Sequence, residues 1–297
     1  LARWLKPSVG WLPGLAIAVV VYLNLHYWDS VAWAITAIAN QAVILFALLA
    51  AFSFHQNPHR ILAPLVWALT ACLSQFNGLI VLFALCFASF SFARLNGLPI
   101  PTRQLYTWLL FALLTSVFYL AVEPLSNSLQ NGHLDRFIAY TEPQLAQEYQ
   151  NNNAVLPTAV LAKQLVTFVP ATFLGIVGAS ALPTNQTTAS IFLGFIIIFC
   201  ITFTVYKHPK CIGRFNLTLL FFCLSSIGLI AIGRGWVFGP DVAMLSRYRM
   251  YSFLMILLAI QPFFLSVHRQ KVILFVCCFG IASQLASAWV MPAFKLN

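Results

Sequence analysis

Apolar stretches separated by short polar breaks run the length of the chain. Those at 10–26, 31–54, 105–122, 189–206, 215–232, 250–267 and 272–289 each come near the roughly 20 residues an α-helix needs to cross a bilayer. The run at 61–93 is too long for one crossing, since a single helix would extend about 50 Å against about 30 Å of hydrocarbon. Ser74-Gln75-Phe76-Asn77-Gly78 divides it into a hairpin of two short spans, because Asn-Gly is a turn signal in polar company; one long tilted helix is the alternative. The stretch at 156–181 is irregular, holding Lys163, Pro170, Gly175 and Gly178, and is expected to break or re-enter. The pattern predicts an all-α fold: a polytopic transmembrane helical bundle of about nine spans plus one broken or re-entrant helix. The 297 residues then form one transmembrane domain, with 123–155 as its external loop.

Composition strengthens this reading. Hydrophobic residues make up 61% of the chain and charged residues 7%, with a mean hydropathy of +0.88, which a soluble domain of this length could carry only by exposing large apolar patches. The formal charge of +10 reflects scarcity of acid, six residues against 16 Lys and Arg. Basic residues sit singly between apolar runs, as loop anchors do, so nucleic acid is not expected as a partner. Six of the seven cysteines lie inside apolar runs without metal-ligand spacing and read as small buried hydrophobes. A start at Leu1 reads as a processed chain or as the C-terminal part of a longer protein. The apolar stretch after Arg3 and Lys6 reads as a retained anchor.

The charges then orient the bundle. With Arg3 and Lys6 cytoplasmic, Arg60, Arg94 and Arg103 fall on the same side. Provided 156–181 makes no net crossing, so do Lys207, Lys210, Arg214, Arg269 and Lys271, and all six carboxylates face outside.

Candidate chemistry gathers between the last spans. Arg234, Arg247 and Arg249 share one external connection with Asp241, Ser246 and Tyr248. They read either as snorkelling interfacial arginines with a structural Arg–Asp pair, or as a phosphate or diphosphate clamp. In the clamp, Tyr248 adds a neutral donor and the helical hairpin brings Arg234 and Arg247 together. His133, Asp135 and Arg136 in the long loop can supply a base, its orienting partner and a cation, or form a solvated face. Asp29 reads as a base at the bilayer surface or as a helix cap. Lys163 calls for a counter-charge or water, or snorkels. Walker, dinucleotide, HExxH, CxxC and GxSxG motifs are absent, so no cofactor and no metal are expected.

The residues Gly233-Arg234-Gly235, Gly239, Ala243 and Ser246-Arg247-Tyr248, with the Ser74 to Gly78 turn, resemble a pattern in certain bacterial polytopic proteins. Their layout is similar to that of the lipid-carrier-dependent, GT-C-like membrane glycosyltransferases. The resemblance implies a bacterial inner-membrane enzyme of envelope biogenesis that takes sugars from a polyprenyl phosphate or diphosphate at the external face. It also implies an acidic catalytic residue in an early external loop, where this chain has a very short turn with Asp29 alone. A transporter or lipid flippase and a non-catalytic subunit of a membrane complex are the competing readings. The expected partners are the bilayer, a polyprenyl carrier lipid or phospholipid, and other membrane proteins.

Overall fold

The computed structural model describes residues 34–74, 78–122, 158–179, 187–207, 212–235, 240 and 248–264. Among these residues there are eight α-helices and no strand, as the all-α expectation required. They are α1 (Ala34–Gln56), α2 (Leu62–Ser74), α3 (Leu79–Leu95), α4 (Thr102–Val122), α5 (Thr158–Gly178), α6 (Thr187–Lys207), α7 (Arg214–Ile230) and α8 (Arg249–Phe264). A π-helical turn, Ala231–Gly235, continues α7.

The helices follow the apolar stretches to within a few residues, but length combined with sustained apolarity is rarer. Thr187–Lys207 and Arg214–Gly233 are the two segments among the described residues long and apolar enough to cross a membrane. Helix α2, with 13 residues, extends only about 20 Å. The structure therefore does not establish nine crossings, and the stretches at 10–26 and 272–289 lie outside the described residues.

The core is built where α1, α3 and α7 meet. Ala47, Ala50, Ala51 and Phe54 of α1, Val81, Leu82, Leu85 and Ala88 of α3, and Phe222, Cys223 and Ile227 of α7 are all buried. The alanines let backbones approach closely, the main resource for helix association where apolar burial gives little preference. Leu110, Leu113 and Leu114 of α4 and Phe192, Phe195 and Phe199 of α6 face outward instead. Leu113 is 62% exposed and Phe199 61%, which suits contact with lipid far better than contact with water. Cys72, Cys86 and Cys223 are buried and Cys200 half-buried, none of them in a disulfide, in keeping with their reading as small hydrophobes.

The run at 61–93 divides as the hairpin requires: α2 stops at Ser74 and α3 starts at Leu79. Gly78 has ordinary helical angles, φ −60° and ψ −26°, so conformational freedom is not its purpose. A Cβ there would overlap the backbone of Ala71 and Cys72, so the returning chain needs glycine for clearance.

The break expected within 156–181 is absent. Helix α5 runs unbroken from Thr158 to Gly178 through Pro170, about 31 Å. A proline costs one i→i−4 hydrogen bond, which neighbouring helices can offset within a bundle, and α6 lies along most of α5. The glycines had been read as breakers, but Gly178 serves close contact. Its Cβ would overlap the backbone of Ser190, and a Cβ on Gly194 would overlap that of Leu174. Ser190 Oγ donates to the Gly175 carbonyl at 2.5 Å across the same seam. These pairings make α5 and α6 antiparallel.

Contacts at the helix ends fix which termini meet. Gln104 Nε2 donates to the Pro58 carbonyl, Trp108 packs edge-on against Phe54, and the Arg214 guanidinium lies 4.1 Å from the Phe92 ring centroid. This end, called the basic end below, carries His55, His59, Arg60, Arg94, Arg103 and Arg214. The short link from α6 to α7 brings Lys207 there as well. Helix α5 thus begins toward the basic end, whereas α4 leaves that end and finishes at the opposite one. Arg60, Arg94, Arg103, Lys207 and Arg214 thus gather at one end of the helices, the grouping that the charge count expected.

Candidate functional site

At the far end, α7 widens from α to π periodicity over Ala231–Gly235. A π-turn inserts a residue into the helical ladder and recurs where a function needs it. Arg234 belongs to this turn. Ala231 is buried, Ile232 and Gly233 are exposed, and a Cβ on Gly233 would meet nothing within 4 Å, so the backbone is open to approach. The turn leans on α5.

Helix α8 reaches the same end of α5, where Ser252 Oγ donates to the Val177 carbonyl at 2.5 Å. Tyr251 packs on Phe222 with ring centroids 6.0 Å apart, beside Cys223, Ser226 and Tyr248. Tyr248 and Ser252 are buried. Tyr251 thus meets Ser226 and Tyr248 on the α7 side of α8, while Ser252 ties α8 to α5. No protein-family model, curated protein or solved structure matches this chain. The site must be read from its own chemistry.

The predicted residues divide accordingly. Arg234 and Tyr248 stand at the far end, and Arg249 opens α8 there. Tyr248 is inside the helix packing, 8% exposed, instead of reaching into an open connection. Lys163 lies in α5 about 22 Å along the axis from Gly178, toward the basic end and away from Arg234. Asp29, His133, Asp135, Arg136, Asp241 and Arg247 lie outside the described residues, as does the whole of the 123–155 loop.

The basic end has its own electrostatics, since no carboxylate occurs among the described residues. Arg214 takes its favourable contacts from π faces: Phe92, and Phe54 with its centroid at 5.9 Å. His55 stands beside Gly213, close enough that a Cβ there would lie 3.7 Å from its Cε1. Partial burial, with the Arg214 charge as the second cause, holds the His55 imidazole below its usual pKa.

Sequence reasoning missed Tyr251, Ser252 and Ser226, which sit inside apolar runs and carry no charge to mark them. It counted Arg214 only as a topological charge. The clustering of phenylalanine in this chain was the available signal, but nothing in the linear order pairs Arg214 with Phe92.

Proposed function

We propose that this chain is an integral membrane protein of the bacterial inner membrane that transfers a sugar from a polyprenyl-phosphate or diphosphate carrier at its far, external end. The observation that carries the reading is the π-turn bearing Arg234. It ends α7 against the last turns of α5, which the start of α8 also contacts. A guanidinium at the end of an apolar helix calls for an anion or water, and phosphate suits its planar donor fork.

In this mechanism Arg234 and Arg247 hold the phosphate oxygens and stabilise the charge that grows on the leaving carrier. An acceptor hydroxyl attacks the anomeric carbon, the bond from that carbon to the phosphate oxygen breaks, and the carrier leaves with both electrons. A carboxylate or imidazole takes the hydroxyl proton; Asp29, His133 and Asp135 are the candidates. The transporter reading drew on a broken helix at 156–181 and loses that support with α5 unbroken.

The test measures binding and turnover of a polyprenyl-phosphate sugar by Arg234→Lys and Arg247→Lys beside the parent. Lysine keeps the charge and loses the fork, so each variant should lose about tenfold or more. Parent-like values in both, with parent-like helicity, overturn the clamp.

A further inference from the structure

We propose a second anion site at the basic end: the cavity between the α1–α2 connection and the start of α4 holds the phosphate headgroup of an anionic diacyl phospholipid. The cavity, about 460 Å³, is lined by His59, Ile61, Arg103 and Gln104, with Ile100, Pro101 and Thr102 between them. A phosphate with its glycerol fits that volume easily.

Its walls are held before anything binds. Gln104 donates through Nε2 to the Pro58 carbonyl and accepts through Oε1 from Ser89 Oγ at 3.5 Å, tying the α1–α2 connection and α3 to α4. Both polar ends of Gln104 are thereby engaged, leaving Arg103 and His59 to face a ligand. Arg103 makes no ion pair among the described residues, which include no carboxylate. An incoming anion meets the Arg103 charge with no counter-charge among the described residues.

The apolar surface below identifies the source of that anion. From Arg103 the outward face of α4 continues through Tyr106, Leu110, Leu113 and Val117, all exposed, at the spacing of one helical stripe. Leu62, 73% exposed, extends the apolar rim beside Ile61. A cation-lined cavity at the head of an exposed apolar track matches a molecule with a phosphate at one end and acyl chains at the other. A free phosphate ion would gain nothing from the track.

Native mass spectrometry of the detergent-solubilised protein, with phosphatidylglycerol and phosphatidylcholine offered separately, reads this directly. The parent should retain phosphatidylglycerol in preference, and the double variant Arg103→Gln, His59→Asn should lose about tenfold of that retention. Both side chains are exposed, so folding should be unaffected, which an unchanged melting profile checks. Arg60→Gln removes an equal charge outside the cavity lining and should change retention less than about twofold. Equal retention of the two lipids, or a double variant like the parent, overturns the site. Glycerol 3-phosphate bound as tightly as phosphatidylglycerol overturns the lipid as its source.

Discussion

The α5–α6 seam offers the sharpest test of the packing, because two glycines in similar helices should respond in opposite directions to one added methyl group. In Gly194→Ala the new Cβ falls on the Leu174 carbonyl, a main-chain atom that no rotamer change can move. The helices must part by about 1.5 Å to restore ordinary contact. Overpacking of this kind costs about 1–3 kcal/mol, and opening the seam endangers the Ser190 to Gly175 hydrogen bond, about 1 kcal/mol more. Alanine returns about 1 kcal/mol of helix propensity, leaving a net loss of about 1–3 kcal/mol. In Gly228→Ala the Cβ meets nothing within 4 Å, so propensity acts alone and stabilises by up to about 1 kcal/mol. Thermal unfolding in detergent, followed by circular dichroism, should place Gly194→Ala about 3–10 °C below the parent and Gly228→Ala at or above it. Equal melting of the two variants, or Gly194→Ala melting no lower than the parent, would refute the close approach of α5 and α6.

Two further predictions concern the basic end. The unfolded chain binds a proton on His55 near pH 6.5, while the folded chain refuses it until lower pH, so stability should fall as pH drops below about 6.5 and level off once the folded imidazole also titrates. The loss should be small because solvent reaches His55, and Arg214→Gln, which removes the second cause of the depression, should narrow the window; melting curves across pH in both proteins check this. Reporter cysteines placed singly at Gly97 and Gly213 should label from one side of an intact membrane and a reporter at Gly233 from the other; Gly213 and Gly233 labelling together would sink the assignment of ends.

Much of the helical layout was legible because apolar period and length are local signals. The break between α2 and α3 and the limits of α4, α6 and α8 could be read within a few residues. Helix α5 defeated the same reasoning. Proline and glycine weaken an isolated helix, but inside a bundle the deficit is met by a neighbour, and only the partner helix reveals that Gly178 lies against Ser190. Lys207 and Arg214 fall at the same end of the helices as Arg60, Arg94 and Arg103, as the charge count grouped them, although α5 is continuous where that count called for a break. Positive charge gathers at one end regardless of which segment supplies the crossing. At the far end, Arg234 was legible because a charge between apolar runs stands out. Tyr251 and Ser252 were hidden because hydroxyl-bearing residues cost little inside a helix and leave no break in its pattern.

The π-stacking of Arg214 sets the depth of more than its own side chain. Held over Phe92 and Phe54, that guanidinium is an anchor at one end of a segment whose other end carries Arg234. From Arg214 to Gly233 the segment has 20 residues, about 30 Å, close to the hydrocarbon thickness of a bilayer. Helix α7 then behaves as a ruler with a cation at each end. A thicker membrane would draw one of them below the headgroups, and since the basic end is clamped by aromatic rings, the end that yields is the one bearing the π-turn.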